Sequence, residues 1–170
     1  MIRKLVGSND PILRQKIEPF DFENPPMNPV ELANDLIETM NRHNGVGLSA
    51  NQIGLPYRVF VMRSSPEAFV CFNPRIIDQS SEVVQLEEGC LSYPMLFLPI
   101  KRPKLIKVRY TSYTGETFTR KFDGITSRCF QHEMDHMNGT VFTTRANLYH
   151  LEKAKKNAAL LSRRKELRHG

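Results

Sequence analysis

The chain has 170 residues, 40% of them hydrophobic and 25% charged, with a formal net charge of +6. Such a length buries a real core in one domain, and the composition excludes a disordered chain. No apolar run approaches the roughly 20 residues that span a bilayer. The opening fifteen residues are basic but lack an apolar h-region, so no secretory signal or transit peptide is expected and the protein reads as cytosolic. Cys71, Cys90 and Cys129, an odd set in such a chain, predict reduced thiols.

In chain order, the first predicted element is a helix over residues 28–44. Asn28 is placed to cap it, Pro29 suits its first turn, and Val30, Leu32, Leu36, Ile37 and Met40 form its apolar face. Asn44-Gly45 should end it. Residues 56–62, 68–74 and 83–92 are short, β-branched and aromatic, and read as strands. The Pro-containing stretches 24–29 and 94–103 read as loops. Residues 104–122 alternate polar and apolar around Tyr113-Thr114-Gly115, a hairpin pattern.

A second helix follows, with Asp123 at its N-cap and Gly139 just past its end. A last helix over residues 147–166 is set by Leu148, Leu151, Ala154, Ala158 and Leu161, a stripe expected to dock on the body. Residues 147–170 carry seven Lys/Arg and two Glu, which concentrates +5 of the net +6 in this tail. Lys155, Lys156, Arg163, Arg164 and Lys165 should remain solvated. The expected fold is α+β, a single domain over 1–170 with a mainly antiparallel sheet packed around a central metal-binding helix, flanked by an N-terminal and a C-terminal helix.

Residues 129–139, CFQHEMDHMNG, carry the chemistry. On a helix, His132 and His136 project from one face and can converge on one cation, while Glu133 can contact a water on it. A catalytic site needs a third protein ligand. Downstream, only His150, His169, Glu152 and Glu166 are available, in or beside the basic tail. Upstream, Cys90 follows two glutamates and Gly89 at a probable strand end. A thiolate there completes a Cys/His/His set with one open position.

A third stretch, Gly45-Val46-Gly47-Leu48-Ser49-Ala50-Asn51-Gln52, reads alone as a helix C-cap and tight turn. Together with Glu88-Gly89-Cys90-Leu91-Ser92 and Gln131-His132-Glu133-Met134-Asp135-His136, it resembles the peptide deformylase family, in order and spacing, over about residues 5–145. The resemblance implies removal of the N-formyl group from the initiator methionine of nascent chains, with release of formate. It implies a divalent metal on Cys90, His132 and His136, natively Fe²⁺ in much of the family, with Ni²⁺, Co²⁺ or Zn²⁺ able to replace it. Hydroxide formed on the metal would attack the formyl carbon, with Glu133 as base and then acid. The Gln52 amide and the Leu91 backbone N–H are the implied oxyanion donors. The substrate is expected to lie extended beside Val46-Gly47 and Gly89, with Val46, Leu86, Ile125 and Cys129 as apolar wall. A C-terminal helix docks some bacterial members on the ribosome, so the basic tail carries that expectation too.

The chain departs from the family pattern at three places. Ser49 stands where alanine is usual, a small change expected to be tolerated. Tyr93–Leu98 is unusually apolar, either tucked on the core or forming a greasier substrate wall. Arg128 replaces an aliphatic residue and either snorkels to solvent or narrows and polarises the methionine pocket. Three competing readings are a zinc endopeptidase, which needs a downstream ligand, a non-catalytic formyl-peptide-binding homologue, and an RNA-binding protein built on the tail.

Overall fold

The computed structural model describes residues 1–64 and 68–169, and the side chains up to residue 164. Helix α1 spans Pro29–Arg42 and begins as the sequence dictates. The Asn28 side chain accepts from the backbone N–H of Val30 and Glu31, and Pro29 needs no donor there. Its buried face is Leu32, Ala33, Leu36 and Met40, whereas Val30 stays exposed. Asn44, with a φ of 53°, turns the chain out of the helix.

Five strands form an antiparallel sheet in the order β1-β2-β3-β6-β7. They are β1 (Gly47–Ser49), β2 (Val59–Met62), β3 (Phe69–Gln79), β6 (Ile106–Thr111) and β7 (Thr117–Phe122). The last two make the expected hairpin, with Gly115 in the left-handed region at its turn. Two further strands, β4 (Val83–Cys90) and β5 (Tyr93–Pro103), pair as a separate antiparallel ribbon.

β2 explains the layering. Its alternate residues face opposite sides: Val59 and Val61 join α1 in one core, and Phe60 and Met62 join Phe130, Met134 and Met137 in another. Those last three belong to α2, Gly124–Met137, which is buried almost continuously from Ser127 onward. The sheet is therefore sandwiched between α1 and α2. Asp123 holds the N-cap position of α2 but makes no capping bond with its side chain.

Two expectations are corrected here. Residues 94–103 are not a loop but most of β5, where Leu96, Leu98, Ile100 and Arg102 are buried alternately. Pro94, Pro99 and Pro103 argue against a central strand, but both strands of a two-stranded ribbon are edges, where proline is tolerated. The final helix, α3 (Leu148–His169), docks on β5 through only part of its stripe. Leu151 and Ala154 pack on the cluster of Leu96, Leu98, Ile100, Val141 and Phe142, and Ala158 is half-buried. Leu148 and Leu161 are 77% and 48% exposed, so the stripe packs at Leu151 and Ala154 and not at its two ends. Lys155, Lys156, Arg163 and Arg164 are exposed; the Lys165 side chain lies outside the described residues.

Candidate active site

α2 brings His132 and His136 onto one face, and β4 ends by presenting Cys90 to them. The ligand atoms of these three residues lie within 4.8 Å of one another, and Cys90 Sγ is 3.3 Å from His136 Nε2. Ligands at tetrahedral angles around a cation, at about 2.0–2.3 Å each, stand roughly 3.5 Å apart, so the set fits a divalent metal. Burial, then the nearby charges of His132 and Arg102, hold the His136 imidazole well below its ordinary range, in the neutral form that ligates. At His132 burial acts the same way, but hydrogen bonds to Cys90 and Glu88 outweigh it and hold the imidazole at about 10. A cation held by Cys90, His132 and His136 would take the place of that proton.

Behind the three donors lies a buried charge network. The Glu88 carboxylate contacts His132 Nδ1 at 3.1 Å and accepts from Arg102 Nε and Nη2 at 2.6 and 2.8 Å. Arg102 also donates to Asp135 (2.9 Å), which accepts twice from Arg145 at 2.6 Å. Burial pushes Glu88 up, yet Arg102 and His132 hold it well below the usual carboxylate range. This arrangement fixes which His132 nitrogen faces the cation.

Arg128 belongs to the same network. It neither snorkels nor leaves a bare charge in the pocket: its Nη1 donates to Glu88 (2.6 Å) and the Ile100 carbonyl (2.9 Å), and its Nη2 to the Val84 carbonyl (2.6 Å). Only 8% of the residue is exposed. A guanidinium that finds a buried carboxylate and two strand carbonyls within reach has no reason to extend to water.

In front of the donors opens a cleft of about 570 Å³, lined by both candidate oxyanion donors, Gln52 and Leu91, and by Glu133. Val46, Gly47, Gly89, Ile125, Arg128 and Cys129 line it as well. Among the described residues β1 pairs only with β2 and β4 only with β5, so the free edges of both strands border this cleft. Gly47 is required there, since a Cβ would stand 2.5 Å from Glu133 Oε1 and 2.8 Å from Cys129 Sγ. At Gly89 a Cβ would meet the Phe97 ring at 2.7 Å.

Leu86 is the exception. It is 41% exposed and faces a second groove with Val84, Pro103, Lys104, Asp123 and Gly124. It shares the Glu88 face of β4 but lies one step further along. Arg128 lines both hollows and stands between them, so Leu86 is not part of the cleft wall.

Glu133 is 3% exposed, and its Oε2 accepts from Ser49 Oγ at 2.6 Å. Burial raises its pKa, against the charge of His132 and the Ser49 hydrogen bond. Gln52 Oε1 accepts from the Ser49 N–H (2.9 Å), which leaves Nε2 to Ser92 Oγ (3.0 Å) and Cys90 Sγ (3.5 Å). Among the described residues, the group able to hold a metal includes no residue downstream of His136, and His150 is exposed.

A family model described as Polypeptide deformylase matches residues 2–152. The chain belongs to the peptide deformylase family. The chain is 40% identical over 137 residues to a peptide deformylase of Thermotoga neapolitana, covering 80% of this chain and 82% of that one. The crystal structure of the Thermotoga maritima peptide deformylase superposes with a TM-score of 0.82 at 36% identity, over 86% of this chain and 99% of that one. A peptide deformylase structure from Legionella pneumophila gives 0.87 at 30% identity, covering 98% of both chains. The family accounts for the convergence of the three sequence motifs. Sequence reading gave no role to Arg102, which lies outside those motifs, or to Asp135 and Ser92, which lie within them, and did not see that Ser49 touches Glu133.

Proposed function

We propose that this chain hydrolyses the N-formyl group of formyl-methionyl peptides, with Cys90, His132 and His136 as metal ligands and Glu133 as the proton carrier. The observation that carries the reading is Glu133: a buried carboxylate beside the ligand set and on the wall of an open cleft. A divalent cation on the three ligands would polarise the formyl oxygen and acidify the attacking water. Glu133 takes the proton of that water and returns it to the departing amine, a role suited to a carboxylate whose pKa is raised. Gln52 Nε2 and the Leu91 N–H donate to the oxygen as it gains charge. Val46, Ile125, Cys129 and Phe97 offer apolar surface to the methionine side chain. The free edges of β1 and β4, at Gly47 and Gly89, offer the peptide backbone a strand to pair with.

Fe²⁺ is the proposed native ion, on the strength of the family resemblance. A thiolate with two imidazoles also accepts Ni²⁺, Co²⁺ or Zn²⁺. A cytosolic catalytic domain over 1–170 that acts on nascent chains, and that meets the ribosome through the exposed cations of α3, completes the reading. Among the described residues no helix is long and apolar enough to cross a membrane.

The test is formate release from a formyl-Met peptide by iron- or nickel-loaded protein, with the unformylated peptide alongside. The expected result is formate and a free amine from the first peptide and no internal cleavage of the second. Internal cleavage without formate would return the endopeptidase reading. Deleting residues 162–170 should lower ribosome co-sedimentation at low salt and leave activity on the short peptide intact.

A further inference from the structure

We infer that Ser49 is a positioning residue for the reaction: its hydroxyl anchors the Glu133 carboxylate while its backbone N–H sets the orientation of the Gln52 amide. The inference rests on the reading above that Glu133 carries the proton. Ser49 is fully buried, so its hydroxyl has no water to bond, and its 2.6 Å contact to Glu133 Oε2 has the length of a charge-assisted hydrogen bond.

The opposite carboxylate oxygen is placed independently. Oε1 lies where a side chain on Gly47 would stand, toward the strand edge that borders the cleft. One oxygen is therefore tied to Ser49, and the other is kept on the substrate side by the absence of a side chain at Gly47. A carboxylate held by a single hydroxyl at its far oxygen cannot rotate away from the cleft without breaking that bond.

Gln52 is fixed from the same residue by a different atom. The Ser49 N–H donates to Gln52 Oε1, so the amide presents Nε2 toward Cys90 and Ser92. Alanine keeps the N–H and loses only the hydroxyl, and it is the residue the family resemblance leads one to expect at this position. The hydroxyl that bonds Glu133 is more than the neutral change its size suggests.

The experiment compares wild type, Ser49→Ala, Ser49→Thr and Glu133→Gln, all nickel-loaded, on one formyl-Met peptide. Metal content and melting temperature are measured on each. Small displacements of a reacting group cost up to about 100-fold, so losing one anchor should lower kcat about tenfold in Ser49→Ala. KM and metal content should stay at wild-type values, while the melting temperature falls by a few degrees because a buried carboxylate loses a donor. Ser49→Thr, which retains a hydroxyl, should recover most of the kcat. A Ser49→Ala kcat at the wild-type value would overturn the inference. So would a loss that comes with raised KM or lost metal, since that marks a packing role. Turnover by Glu133→Gln would instead remove the underlying assignment of the base. An inactive Glu133→Gln beside a fully active Ser49→Ala would remove Ser49 alone.

Discussion

The floor of the cleft and its rim are built from opposite materials. The floor (Cys90, His132, His136, Glu133 and the carboxylates behind them) is mostly buried, and its charges are paired at 2.6–3.1 Å. The rim is apolar and open: Val46, Phe97 and Ile125 are 59%, 55% and 66% exposed. Low dielectric and fixed hydrogen bonds make the floor a place where protonation and ligation are set in advance. The rim makes exposed apolar contacts whose free energy is realised only when a peptide covers them. Damage to the floor should appear in metal content, stability and kcat, and damage to the rim in KM.

The largest break in that comparison comes from Cys90→Ser. A hydroxyl is a harder and far less acidic ligand than a thiol, so metal affinity should fall by more than about 100-fold, since even residues behind the ligands cost 10–100-fold. Equilibrium dialysis against nickel measures it. Unchanged affinity would take Cys90 out of the ligand set.

Next is Glu88→Gln. The folded protein holds this carboxyl below its ordinary value of 4.5, so its contribution to stability is complete above that pH and lost as pH falls beneath it. The wild-type melting temperature should therefore drop on acidification below about pH 4.5. Glu88→Gln should melt lower at neutral pH and show a shallower acid limb in thermal scans.

Arg128→Leu should cost about 1–3 kcal/mol in denaturant titration, because it strips donors from Glu88 and from two strand carbonyls, one of them buried. Arg102 still holds Glu88, so kcat should change little. A gain in kcat/KM without loss of stability would show instead that Arg128 obstructs the pocket.

The same division explains what could be read from sequence. The ligand helix was legible because His132, Glu133 and His136 sit at a spacing that only a helix turns into a cluster. The sheet was mostly legible from β-branched runs, but β5 was hidden by three prolines whose tolerance depends on the ribbon being two-stranded. Arg102, within that stretch, carried no local sign that it would meet Glu88 and Asp135. Leu86 was expected on the cleft wall and lies in the neighbouring groove, whereas Arg128 lines both hollows. Which side chain partitions two hollows is decided by tertiary packing. The α3 stripe has correct helical spacing over its whole length, yet spacing cannot say how far the surface beneath it extends.

Phe97→Ala probes the rim and should have the smallest effect. It removes an exposed ring that covers Gly89, so KM should rise about 5- to 10-fold, the scale of a single apolar contact, with kcat nearly unchanged.

The division between floor and rim is decided by measuring kcat and KM for Glu133→Gln and Phe97→Ala on the same formyl-Met peptide with equal nickel content. Glu133→Gln should lose kcat by about 10³-fold while keeping its metal, and Phe97→Ala should change only KM. Turnover by Glu133→Gln near the wild-type rate, or a kcat loss in Phe97→Ala of the same size, would contradict the division of chemistry and affinity between floor and rim.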